Sequence, residues 1–309
     1  MDPTTINASA AGTWELGDLT VNRLGFGAMR LTGSAAFHLG SPSDRERSIG
    51  VLRQAIELGV NHIDTAAFYF SSLRSANELI NRALAPYPED LVIATKVGPR
   101  RDASGEWIAP ARPDELRGQV EENLRQLGRD HLDLVNLRLM GQESLSEHFG
   151  ALSELREAGL VRHLGISGVK AVHLTEAQAI APVVCVQNRY GLGTPSAGTD
   201  DVLRICGERG IAFVPFFSIA GQGREQGAGS TRSENPRSSD ADKLLAVAHR
   251  HGVTTAQVRL AWTLHQGPHV LAIPGTGSPD HLTENVAAGA LRLSADEIAG
   301  LDSDHRDNE

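Results

Sequence analysis

A chain of 309 residues, 40% of them hydrophobic, can bury a large core either as one α/β domain or as two domains of average size. Its formal net charge of −9, with the basic residues scattered, argues against nucleic acid or an anionic membrane surface as partner, since both demand a concentrated basic face. Two cysteines give neither a disulfide framework nor a metal-ligand spacing, and no apolar stretch nears the ~20 residues needed to cross a bilayer, so a cytoplasmic protein is expected.

Residues 1–12 (MDPTTINASAAG) lack the charged and apolar blocks of a signal peptide and are expected to be disordered. TWELGDLTV (13–21) alternates with period two around Gly17-Asp18, which predicts a β-hairpin. Eight short apolar runs follow, at 22–28, 60–66, 91–97, 132–138, 163–168, 183–188, 212–217 and 269–275. Segments with helical spacing separate them, among them 44–59, 112–128 and 144–159, and several stop on a glycine, as at Gly59, Gly128, Gly159 and Gly210. Strands alternating with helices imply parallel pairing, and eight such units close most naturally into a (β/α)8 TIM barrel capped by the N-terminal hairpin. An open doubly wound sheet would carry G-x-G-x-x-G after its first strand, a pattern that GFGAMR does not complete. Without a linker to mark a second domain, residues 1–309 read as one domain, and the Gly- and Ser-rich stretch 222–240 reads as a mobile loop.

In a barrel of this kind the active groups come from the carboxyl ends of the strands. Here the second strand ends in Asp64, with Tyr69 five residues on, and the third in Lys96; the fourth ends in Arg138, the fifth in Ser167, and the sixth in Gln187 and Asn188. Any one of these alone is most simply a solvated loop residue, but five strands ending in the same way point to a site. A tyrosine is a weak acid, titrating near ~10, and a neighbouring lysine ammonium favours its phenolate, while a carboxylate keeps the lysine charged and oriented. Such a tyrosine can protonate a carbonyl oxygen as hydride reaches the carbon, and hydride requires a nicotinamide cofactor.

Across nearly its whole length the chain resembles the aldo-keto reductase family. The resemblance is carried by NRLGFGAM (22–29), GVNHIDTAAFY (59–69), LVIATKVG (91–98), DLVNLR (133–138), HLGISG (163–168), VCVQNRY (184–190), VPFFS (214–218) and AIPGTGSPDHLTEN (272–285). It implies Asp64, Tyr69, Lys96 and Arg138 as the catalytic set, with Tyr69 as proton donor. It also implies NADPH as cofactor, with Ser167 and Gln187 at the nicotinamide carboxamide and Phe217 stacked on the nicotinamide ring. Ser218 and the following loop, including Gly221, match the segment over the pyrophosphate. Gly275, Thr276 and Ser278, with His281 and Asn285, match the loop and helix start that hold the adenosine end, and Gly27, Ala28, Met29 and Asp64 complete the cofactor-binding set.

Four positions depart from the family pattern. Arg138 stands where histidine is usual, Gly168 where Ser167 is usually followed by asparagine, Phe70 where glycine usually follows the tyrosine, and Gly275 where a lysine often meets the 2′-phosphate. The DLVNLR form resembles a bacterial branch that includes pyridoxal reductases. The resemblance therefore implies reduction of an aldehyde or ketone, pyridoxal-like or a biosynthetic intermediate, by a monomer or weak oligomer. An NADPH-binding sensor, or an enzyme acting on C=C bonds or sugar ketones, is the alternative.

Overall fold

The computed structural model describes residues 6–34, 39–194, 198–216, 218–219 and 238–306. Phe217, Gly221 and most of the stretch read as a mobile loop lie outside them.

β1 (Thr13–Leu16) and β2 (Leu19–Asn22) pair antiparallel across the Gly17-Asp18 turn. This is the expected hairpin. Asp18 fastens it to the wall by accepting hydrogen bonds from Arg162 at 2.6 Å and from His163, also at 2.6 Å.

The strands that follow are β3 (Phe26–Gly27), β4 (His62–Asp64), β5 (Val92–Val97), the small hairpin β6 (Arg100–Arg101) and β7 (Trp107–Ile108), β8 (Leu132–Arg138), β9 (Val161–Ser167), β10 (Cys185–Gln187) and β11 (Ala212–Phe213). Apart from the hairpin strands these form one parallel sheet in the order β11-β10-β9-β8-β5-β4-β3. The eighth place is filled by residues 270–272, which bridge both edges of that sheet: Val270 pairs with Phe213 and Ala272 with Leu24. Leu271 N–H donates to the Phe213 carbonyl at 2.9 Å and Gly25 N–H to the Ala272 carbonyl at 2.8 Å. The ring thus closes as a (β/α)8 barrel. Its eighth strand is shorter than the run 269–275 because Pro274 has no N–H to extend the ladder.

Helices α1 (Arg45–Glu57), α2 (Ala76–Leu84), α3 (Leu116–Leu127), α4 (Ser146–Glu157), α5 (Ala171–Gln178), α6 (Thr199–Glu208), α7 (Ser238–His251), α8 (Thr255–His265), α9 (Pro279–Ala287) and α10 (Ala295–Arg306) complete the chain. Their ends follow local chemistry. Asp44 caps α1 by accepting from Arg47 N–H at 2.7 Å, and Gly128 ends α3 in the left-handed conformation at φ +64°.

The pleat separates two cores. Val135 and Leu137 of β8 join the outer layer packed against helices, whereas Leu134 joins Val92, Ala94, Cys185, Ala212, Val214 and Leu271 in the barrel interior. Leu16 and Val21 of the hairpin enter that interior cluster and plug one end. The polar strand ends therefore collect at the other.

The disorder expected over residues 1–12 does not hold for residues 6–12. Ala8–Ala11 form a 3-10 turn capped by the Asn7 side chain, Ala8 is fully buried, and its N–H reaches the Leu58 carbonyl at 2.8 Å. Small side chains that look weakly hydrophobic in sequence pack closely here: a Cβ on Gly289 would lie 3.2 Å from that of Ala11.

Candidate active site

At the open end the carboxylate of Asp64 is held from two directions. Its Oδ2 accepts from Lys96 Nζ at 2.5 Å and its Oδ1 from Gln187 Nε2 at 2.6 Å. Lys96 donates further to the Thr65 carbonyl at 3.0 Å, and its Nζ lies 5.0 Å from the centre of the Tyr69 ring. All four side chains are buried. Charges this deep are tolerated only when paired, and Lys96 and Asp64 pair with each other.

Burial pushes the Tyr69 phenol above its ordinary value; Lys96 pulls it down, Asp64 pushes it up and Arg138 pulls it down weakly. The lysine effect expected from sequence is present, but desolvation outweighs it. Lys96 is subject to a desolvation that favours its neutral form, which the Asp64 carboxylate and the Tyr69 oxygen overcome, so its ammonium titrates above the usual value.

Arg138 closes β8 beside this cluster. It donates from Nη1 to Ser167 Oγ at 3.3 Å, and its guanidinium lies 4.9 Å from the centre of the Phe216 ring. Among the described residues it makes no ion pair with a carboxylate, and burial lowers its pKa while Tyr69 favours its charge. Gly168 permits this placement. Its φ is +69°, and its N–H is held by the Gln187 carbonyl at 2.9 Å. Asn188 clamps the next residue, accepting from Val169 N–H at 2.9 Å and donating to the Val169 carbonyl at 2.8 Å.

A cavity of about 400 Å³ opens over these groups. Of the residues singled out by sequence, Gly27, Met29, Asp64, Tyr69, Lys96, Arg138, Ser167, Ser218 and Gly275 line it. Gln187 lies directly behind Asp64. Ala28 faces the outer core, and away from the cavity Thr276 and Ser278 precede α9 while His281 and Asn285 lie within it. Phe70 does not line the cavity either: its ring lies 4.2 Å beneath the Arg101 guanidinium. Sequence reasoning missed Arg30, Phe68, Trp107, Met140 and Phe216, which supply much of the lining. Phe68 and Met140 follow strand ends in the loops where such groups belong, and the D-A-S-G turn before Trp107 carries a hairpin signal that went unread.

The residues present fit a nicotinamide cofactor. Gln187 Oε1 is buried without a hydrogen-bond partner while its Nε2 is committed to Asp64, so an acceptor waits beside Ser167. Ser278 precedes α9 without a side-chain capping bond, and Ser278 N–H is taken by Thr276 Oγ1 at 3.0 Å. The Ser278 hydroxyl and the first-turn amides of α9 are thereby left for an anion, with Asn285 buried one to two turns on.

Residues 23–305 match the model of the aldo/keto reductase family. The chain belongs to the aldo/keto reductase family. It is 41% identical over 305 residues to pyridoxine 4-dehydrogenase of Escherichia coli (strain K12), covering 96% of this chain and all of that one. It is 36% identical over 300 residues to an uncharacterized oxidoreductase of Schizosaccharomyces pombe, covering 97% and 92%. Among solved structures, a thermostable aldo-keto reductase bound to the inhibitor epalrestat superposes with a TM-score of 0.78 at 30% identity, over 94% of this chain and 99% of that one. An aldo/keto reductase from Klebsiella pneumoniae, solved with NADP and acetate, gives 0.72 at 27% identity over 92% and 91%. As an aldo/keto reductase this chain is an oxidoreductase. Among its described residues no helix is long and apolar enough to cross a membrane.

Proposed function

We propose that this aldo/keto reductase uses NADPH to reduce an aldehyde or ketone to the alcohol, that Tyr69 gives the proton, and that its substrate is a pyridoxal-like aromatic aldehyde. The observation that carries the reading is the buried cluster of Gln187, Asp64, Lys96 and Tyr69, in which Gln187 and Lys96 both donate to Asp64, the Lys96 ammonium lies 5.0 Å from the Tyr69 ring centre, and Asp64, Lys96 and Tyr69 line the cavity. The kinship with pyridoxine 4-dehydrogenase and the aromatic lining from Phe68, Trp107 and Phe216 support the substrate class.

When bound, the dihydronicotinamide supplies the hydride. Ser167 and the free Oε1 of Gln187 would hold its carboxamide, and Ser278, His281 and Asn285 its adenosine end. Tyr69, kept neutral by burial, holds its proton at the hydroxyl that faces the substrate carbonyl. Lys96 stays charged against Asp64 and stabilises the phenolate left behind. Arg138 directs a fixed cationic donor at the same carbonyl oxygen, where negative charge grows as the carbon is reduced. The apolar walls exclude water from this exchange.

The test is NADPH consumption by the purified protein across matched aldehydes, ketones and enones, with pyridoxal among them. Highest kcat/KM on aromatic aldehydes is expected. Turnover confined to enones, or none on any carbonyl, would overturn the reading.

A further inference from the structure

The loop bearing Tyr69 is fastened by a residue outside the catalytic set. Tyr69 N–H donates to the Ala66 carbonyl at 3.0 Å, and the Tyr69 carbonyl accepts from Ala76 N–H, also at 3.0 Å, at the start of α2. These bonds secure the tyrosine backbone itself but leave the carbonyls on either side of it to be satisfied elsewhere. One guanidinium takes both. Arg101 Nη1 donates to the Phe68 carbonyl at 2.9 Å and to the Phe70 carbonyl at 3.1 Å.

The same side chain reaches the other wall of the cavity. Arg101 Nε donates to the Gly105 carbonyl at 2.8 Å, inside the turn between β6 and β7. Its Cζ lies 4.2 Å from the Phe70 ring centre and 5.8 Å from that of Trp107. The turn is shaped to admit it: Gly105 adopts φ +86°, and a Cβ there would lie 2.8 Å from Arg101 Nη2. Aromatic contacts run parallel to the polar ones, with Trp107 edge-on to Phe68 at 5.8 Å and Phe68 edge-on to Tyr69 at 5.1 Å.

We infer that Arg101 is a positioning residue that brackets Tyr69 and locks the proton donor to the Trp107 wall of the substrate cavity. The inference rests on the reading of Tyr69 as proton donor. A planar fork suits this task because its donors leave in fixed directions toward carbonyls on two loops, whereas a lysine ammonium is a point charge on a flexible stem. Loosening the bracket would let the hydroxyl wander from the carbonyl oxygen while leaving the cofactor side of the site intact. A displacement near 1 Å at a reacting group costs on the order of 10²-fold in rate.

The experiment compares Arg101→Met and Arg101→Lys with Tyr69→Phe, measuring kcat, KM, NADPH affinity and the primary isotope effect with deuterated NADPH. Arg101→Met is expected to lower kcat by about 10- to 100-fold, to leave NADPH affinity within about twofold, and to raise the isotope effect as the chemical step becomes limiting. Arg101→Lys should recover only part of kcat. Should the methionine variant fail to fold, the lysine variant decides, since it keeps the charge and the stem. Wild-type kcat and isotope effect in either variant, alongside an inactive Tyr69→Phe, would overturn the positioning role alone. An active Tyr69→Phe would overturn the proton-donor reading and this inference with it. Parallel loss of NADPH affinity and kcat in both arginine variants would assign Arg101 to general structure and also overturn it.

Discussion

A Cβ placed on Gly168 would lie 2.5 Å from Nη1 and 2.9 Å from Cζ of Arg138. Two departures from the usual pattern of the family, arginine for histidine and glycine for asparagine, are therefore one. The guanidinium fills the space into which a side chain at residue 168 would project. Backbone strain alone does not explain the glycine, because asparagine tolerates the left-handed conformation better than other residues.

Gly168→Asn alone should therefore push the guanidinium aside and cut kcat/KM, while Arg138→His with Gly168→Asn should cost less than the two single losses combined. A coupling of ~1–3 kcal/mol in transition-state stabilisation is expected from side chains in direct contact. A double-mutant cycle on kcat/KM measures it, and strict additivity would show that the two positions are independent.

Arg138→Ala should lower carbonyl reduction by ~10²–10³-fold, the range for loss of one preorganised donor at a developing oxyanion. Arg138→Lys keeps the charge without the fork and should recover a part. Unchanged kcat on aldehydes in the alanine variant would reduce Arg138 to packing against Phe216.

How much of this was legible in the sequence follows from how local each feature is. Asp64, Lys96, Arg138, Ser167 and Gln187 stand at or next to the carboxyl ends of their strands, in short apolar runs, so the barrel hypothesis alone gathers them at one rim. The hairpin at Gly17-Asp18 was legible from turn chemistry in the same way. Arg101 was not, because its role depends on two carbonyls some thirty residues earlier and no side-chain pattern marks a carbonyl acceptor. The net direction of the Tyr69 shift was also hidden: the lysine neighbour is visible in sequence, but the depth of burial that outweighs it is a property of the folded site.

That direction has a consequence for pH. Reduction consumes the neutral phenol and alcohol oxidation consumes the phenolate, so a raised pKa keeps reduction flat through neutral pH, with a decline only above ~10, while oxidation climbs toward alkaline pH. Lys96, Asp64 and Arg138 are the charged groups facing the phenol. Lys96→Met removes the stronger of the two groups that pull it down, so its oxidation limb should move to still higher pH. A limb left in place in kcat–pH profiles would contradict this.

His62 supplies a stability prediction. It is buried below Asp64, its Nδ1 donates to the Asn22 carbonyl at 3.1 Å, and its Nε2 has no partner. Burial lowers its pKa from 6.5 to about 4, against smaller opposing effects of the Asn22 carbonyl and Asp64. The unfolded chain takes up its proton near 6.5 and the folded chain only near 4, so this contribution is full above 6.5 and is lost as pH falls between the two values. The loss is on the order of 3 kcal/mol. Denaturant titrations from pH 7 to pH 4 should show this slope in the wild type and a shallower one in His62→Phe; identical slopes would place the titration elsewhere.

The central claim, that a buried carboxylate and ammonium hold Tyr69 ready to protonate a carbonyl, is tested most directly by comparing wild type and Tyr69→Phe in one measurement. The rate of NADPH consumption with a saturating aromatic aldehyde is recorded alongside NADPH affinity for each protein. The account predicts affinity unchanged within about twofold and turnover reduced by at least ~10²-fold in the phenylalanine variant. Tyr69→Phe turning over at the wild-type rate would contradict it.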